Sequence, residues 1–178
     1  TTITGNTLTN CGTWAIGGYQ APYQTITGNT ISQCYDGIYL DNSSSVTISG
    51  NNISGIANAG IYHSSSSSGV ISGNDISPSY SLDFFGVYLD STTSDTVSNN
   101  TINGAFEGVC IVNGASVTIK ENKIYGGDIG IYIYIINGTT VGSINHNLIY
   151  NNGIRSSWGY GLYLNLNNAT LTVENNTV

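Results

Sequence analysis

Residues 25–40 read TITGNTISQCYDGIYL, and versions of this stretch recur along the whole chain. Each carries an Asn between two aliphatic positions and then a Gly-aliphatic-Tyr step. The Asn falls at Asn6, Asn29, Asn51, Asn74, Asn100, Asn122, Asn147 and Asn176, at intervals of 23, 22, 23, 26, 22, 25 and 29 residues. Three residues before it stand Ile3, Ile26, Ile48, Ile71, Val97, Ile119, Ile144 and Val173. Two residues after it stand Leu8, Ile31, Ile53, Ile76, Ile102, Ile124, Ile149 and Val178. Further on come Ile16, Ile38, Ile61, Val87, Val109, Ile131 and Leu162, preceded by Gly everywhere except at Ala15. Alternation around these positions has period two, so each set is a short strand with one face in and one face out. A repeat of this size built from β-type residues marks a solenoid.

The fold class is therefore all-β, about seven coils of 22–29 residues wound round a shared apolar axis. Ordering the residues of one coil costs more than its few aliphatic side chains return. Stability must then come from stacking, with strands pairing at about 4.8 Å. A turn between two strands leaves backbone groups unpaired inside, and a side-chain amide can bond both its own turn and the Asn of the next coil. The eight Asn thus read as an internal structural ladder.

The 178 residues form a single domain, 1–178. The chain opens on TTITGN and stops on ENNTV, inside repeat units and without the atypical caps that solenoids carry. The expectation is a segment of a longer solenoid or a subunit whose ends neighbours cover. Only 7% of residues are charged, against about 25% in ordinary soluble domains. A net charge of -7 with Lys120, Lys123 and Arg155 as the only Lys and Arg leaves no basic surface for phosphates, so nucleic acid is not an expected partner. The longest apolar run, 129–136, is too short to cross a bilayer, so no transmembrane segment is expected. No basic-then-apolar leader opens the chain, and any targeting peptide is expected to be absent or already removed.

The pattern T-I-x-x-N-x-I followed by G-I-Y-L resembles the right-handed parallel β-helix repeat of the pectin-lyase-like superfamily. That superfamily includes polysaccharide lyases and hydrolases, tailspikes, surface proteins and periplasmic proteins of the NosD type. The resemblance covers essentially the entire chain and implies the fold. It leaves function open, because the matching residues are the ones that build coils.

Beside the inward Ile lies an outward column, Tyr39, Tyr62, Tyr88, Cys110, Tyr132 and Tyr163. Two residues later come Asp41, Ser64, Asp90, Val112, Tyr134 and Asn165. Stacked Tyr rings tipped with hydroxyls suit sugar rings or a packing partner, and equally suit a strand surface that needs no ligand. Two insertions, 77–85 and 151–160, bulge from one corner with Tyr80, Asp83, Phe84, Phe85, Arg155, Trp158 and Tyr160. Insertions on one face mark a binding side or cover the rim of the core. The binding candidates are therefore Tyr39, Tyr62, Tyr88, Tyr132, Tyr163 and Trp158. For catalysis, Asp41 and Asp90 share a column two coils apart, roughly 9–10 Å, which borders on the spacing of an inverting carboxyl pair. Asp36, His63 and Asp83 are placed near them.

His63 and His146 lie about four coils apart, too far to share an ion, so no metal or other cofactor is expected. Cys11 and Cys34 each lie five residues after an Asn; stacked, their Cα atoms would be about 5 Å apart, within disulfide range. The alternative is a column of two unbonded thiols. A flat Thr array (Thr2/Thr4, Thr25/Thr27, Thr47/Ser49) resembles ice-binding solenoids but decays toward Lys120 and Glu174. The first expectation is an extracellular or cell-surface structural or adhesive β-helix, filament-forming or in contact with polysaccharide, its partners a polysaccharide, copies of itself or a neighbouring surface protein. A polysaccharide lyase or glycoside hydrolase is the alternative, and an ice-binding solenoid the third.

Overall fold

The strands that the sequence pattern marks assemble into three parallel sheets, each visited once per coil. The computed structural model describes residues 1–78, 84–135, 142–153 and 159–178. Sheet A pairs Thr2–Thr4, Thr25–Thr27, Thr47–Ser49 and their successors as far as Leu171–Glu174. Sheet B stacks the short strands that follow each ladder Asn, from Thr7–Thr9 to Leu148–Tyr150. Sheet C stacks Trp14–Tyr19, Asp36–Asp41, Ala59–Ser64, Phe85–Asp90, Glu107–Val112, Ile129–Ile135 and Tyr160–Leu166. Among the described residues there is no helix.

Register is set by the aliphatic columns, since a slip of one residue would turn each inward Ile to solvent. Ile3 faces Ile26, Ile26 faces Ile48, and Ile38 faces Ile61. From the second coil onward nearly every such side chain is fully buried, and together they make one continuous core.

The Asn ladder joins sheets A and B. The Asn29 main-chain N–H and side-chain amide both donate to Asn51 Oδ1, each at 3.0 Å, while the same amide reaches back to the carbonyl of Ile3 at 3.0 Å. The pattern runs unbroken from Asn6 to Asn176, with side-chain links of 2.9–3.0 Å. Each inner amide thus ties the coil before to the coil after, and Asn29, Asn51, Asn122 and Asn147 also hold their own turns.

The other corners repeat this device with different atoms. In the structure Cys11 and Cys34 are free thiols stacked in adjacent coils. The Cys34 sulfur accepts the Cys11 N–H at 3.3 Å and donates to the Ser32 carbonyl at 3.2 Å, as a ladder Asn does. Burial, reinforced by the Cys11 side chain, pushes the Cys34 thiol up to about 11. At the third corner Ser43 Oγ accepts the Ala21 N–H and Ser66 Oγ accepts the Ser43 N–H.

Two glycine columns explain the recurring Gly. In sheet C a Cβ at Gly37, Gly86 or Gly108 would lie 2.4, 2.4 or 2.5 Å from a carbonyl oxygen of the next coil, so only hydrogen fits. The residue before each ladder Asn is left-handed: Gly5, Gly28, Gly50 and Gly73 at φ 62–67°, then Asn99, Glu121, His146 and Asn175 at φ 54–57°.

Candidate functional site

Sheet C turns an array of aromatic side chains outward. Parallel in-register pairing puts Tyr39 beside Tyr62 and Tyr62 beside Tyr88. Their rings stack at 4.7 and 5.1 Å, each 8° from parallel. Trp14 belongs to the neighbouring column but leans over Gly17 and extends the stack, 4.6 Å from Tyr39. Trp14 is 48% exposed and the three Tyr are half-buried. Beyond the Cys110 coil the array resumes with Tyr132 and Tyr163, 5.1 Å apart. Phe85 and Tyr160 pack edge-on against Tyr88 and Tyr163.

Burial raises the phenol pKa values of Tyr39, Tyr62 and Tyr88, and nearby acids add to the effect. The hydroxyls therefore remain protonated donors across the ordinary pH range. Alongside runs an acid row: Asp41 faces Ser64, and Ser64 faces Asp90. Ser64 Oγ donates to Asp41 Oδ1 at 2.7 Å, and Ser91 Oγ to Asp90 Oδ1 at 2.9 Å. Two strand steps separate the carboxyls, about 9–10 Å.

Three sequence candidates land elsewhere. His63 occupies an inward position between Leu40 and Leu89 and is fully buried, so it does not join the Asp41 face. Its Nδ1 lies 2.7 Å from Asp95 Oδ2 and its Nε2 2.9 Å from the Ser43 carbonyl. Phe84 is wholly buried in the core, which removes it from the binding side. Asp36 is buried and accepts from the Asn58 amide at 2.7 Å and the Ala59 N–H at 2.9 Å. Trp158, Tyr80, Asp83 and Arg155 lie outside the described residues.

Sequence reading missed Glu107. Strand alternation gave no hint of it, because Glu107 lies on the sheet C side of the Phe85 column and folds back over Cys110. It is 8% exposed, its carboxyl shares a hydrogen bond with the Cys110 thiol, and its Oε2 has no partner. Burial raises its pKa, partly offset by the thiol bond.

Residues 80–178 match the family model described as the right-handed β-helix region. The chain belongs to the right-handed β-helix family. Residues 1–84 match the model described as periplasmic copper-binding protein (NosD). No curated protein sequence matches. Among solved structures, a mutant of the periplasmic alginate epimerase AlgG superposes with a TM-score of 0.66 at 15% identity, over 98% of this chain and 50% of that one. DFA-IIIase from Arthrobacter chlorophenolicus A6, without its lid and in complex with GF2, superposes with a TM-score of 0.56 at 13% identity, over 98% of this chain and 52% of that one. The β-helix therefore spans about half the length of these structures, and at such identity the likeness is one of fold.

The described residues do not fit a copper centre. Among the described residues no three of His, Cys, Asp and Glu converge on one point, and both His63 nitrogens are engaged. The chain also contains no Met.

Proposed function

We propose that this β-helix is a structural, carbohydrate-contacting domain that works outside the cytoplasm and lays a glycan along the outer face of sheet C. The observation that carries the reading is the row of four stacked rings, Trp14, Tyr39, Tyr62 and Tyr88, with phenol donors at their tips and the Asp41–Ser64–Asp90 row beside them. Flat apolar faces next to fixed polar groups match the two sides of a sugar ring. The alginate epimerase that shares the fold supports a polysaccharide ligand, and its periplasmic setting and that of NosD support a location beyond the cytoplasmic membrane.

Binding of a panel of oligosaccharides by titration calorimetry tests this. Tyr39→Ala and Tyr62→Ala each weaken binding, by up to about tenfold for the loss of one stacking ring. Unchanged affinity in both variants, with the fold intact by circular dichroism, overturns the reading.

A second reading, hydrolysis or elimination on the same face, rests on the spacing of Asp41 and Asp90 across Ser64. Release of reducing ends or unsaturated uronides by the wild type, lost in Asp41→Asn and Asp90→Asn, establishes it. A silent wild type leaves a binding domain.

A further inference from the structure

The aromatic row of sheet C breaks at one coil. Every other step brings ring against ring at 4.6–5.1 Å, but between Tyr88 and Tyr132 the register places Cys110. The missing ring leaves a notch in the row two strand steps wide, about 9–10 Å between backbones, which the almost fully buried Cys110 and Glu107 fill. Glu107 leans into it. Its carboxyl bonds the Cys110 thiol at the floor, in the coil between the two flanking rings, Tyr88 and Tyr132. More than nine-tenths of Glu107 is buried, yet Oε2 meets no donor.

A buried carboxyl oxygen without a partner costs free energy until a donor arrives. The notch also selects the kind of donor. Aromatic faces on both sides attract a cation through their quadrupoles. Asp90 stands on the adjacent strand, and Asp41 lies further along the same face. Among the described residues Lys120 and Lys123 sit on sheets A and B, and sheet C carries neither Lys nor Arg. A polyuronate would bring more negative charge to a face that already holds several carboxyls, and a neutral hydroxyl would make a weaker bond to Oε2 than a charged donor does.

We propose that the Glu107–Cys110 notch is a binding point for a protonated primary amine, and that the glycan recognised by sheet C is accordingly one bearing free amino sugars rather than uronic acids. The ammonium reaches Glu107 Oε2 as the Glu107 side chain turns outward between Tyr88 and Tyr132, while neighbouring sugars lie on the Trp14–Tyr39–Tyr62 rings. This inference rests on the carbohydrate-binding reading above and narrows its ligand.

The test is calorimetric titration with three probes of equal length: a glucosamine oligosaccharide, its fully N-acetylated counterpart and an oligouronate, at a pH where the free amine is protonated. Wild type is expected to bind the glucosamine oligomer about tenfold or more tightly than the N-acetylated one, the loss expected for a charge-assisted hydrogen bond, and the oligouronate most weakly. Glu107→Gln is expected to erase the preference for the free amine without abolishing binding. Should that variant not fold, Cys110→Tyr, which fills the notch with a ring, carries the same expectation. Equal affinity for amine and N-acetyl probes, tighter binding of the oligouronate, or a preference that survives in the variant overturns the amine site while leaving the glycan face standing. If no probe binds and Tyr62→Ala changes nothing, both readings fall together.

Discussion

At the scale of single residues, the side chain with the most to say about pH is His63. It stands where Leu40 and Leu89 stand in adjacent coils, and Gly69 supplies the room, since a Cβ there would lie 2.8 Å from the imidazole. Both ring nitrogens face acceptors, Asp95 Oδ2 and the Ser43 carbonyl. A neutral imidazole has only one N–H, so the charged form alone satisfies both. Burial lowers the His63 pKa, but the Asp95 hydrogen bond and charge and the Ser43 carbonyl outweigh it, and the net direction is upward from 6.5. A group whose folded value lies above its unfolded one stabilises the fold fully below the unfolded value and loses that contribution as pH rises through the folded value. The melting temperature is therefore expected to fall as pH rises above about 6.5, by roughly 2–4 °C for each kcal/mol lost. His63→Leu should flatten that slope, and a variant as steep as wild type would place the titration elsewhere.

At the scale of the element, the turn before each ladder Asn sets the local rule. All eight residues there are left-handed, and four of them are not Gly. A side chain in that conformation costs about 1–2 kcal/mol, less for Asn, and glycine's greater unfolded-state freedom returns part of it. His146 is exposed at φ 55°. His146→Gly is expected to stabilise by roughly 0.5–1 kcal/mol, measured as a shift in the urea midpoint at unchanged m-value. Glu121→Gly should gain less, because Glu121 Oε2 accepts from the Asn99 amide at 3.2 Å.

The same scale shows what was legible in the sequence. Period and alternation alone yielded the strands, the aliphatic columns, the Asn ladder and the Tyr column, because one coil repeats the same constraint on the next. Whatever depended on a single departure from the repeat was hidden. Sequence placed Cys11 over Cys34 but not the sulfur acting as a surrogate amide. It placed Cys110 in the Tyr column but not Glu107 folded across it, since that contact joins two columns. The Ser43–Ser66 corner was lost among the many Ser of the chain.

At the scale of the whole molecule, each coil depends on its neighbours, so a defect at the middle of the ladder should act on both sides. Asn100 accepts the main-chain N–H and the side-chain amide of Asn74, and donates to the Ile71 carbonyl and to Asn122. Asn100→Ala orphans groups in two coils at once, at about 1–3 kcal/mol for each buried one, and a loss of at least about 3 kcal/mol is expected in urea unfolding. The equivalent change at exposed Asn6, whose links run to Asn29 alone and to its own turn, should cost less than half of that. Hydrogen exchange separates a local defect from a divided solenoid. In a one-dimensional stack, stability is the sum of coil terms and nearest-neighbour interface terms, so weakening one interface uncouples what lies on either side. In the wild type the amides of Phe85–Asp90 and Glu107–Val112 should exchange most slowly, with protection falling toward Thr2–Thr4 and Leu171–Glu174, where the inward side chains are only partly covered. In Asn100→Ala the coils before and after the substitution should open with two different free energies. A uniform drop in protection along the chain would instead mean that all coils unfold as a single unit, and that the ladder contributes through its sum and not through each link.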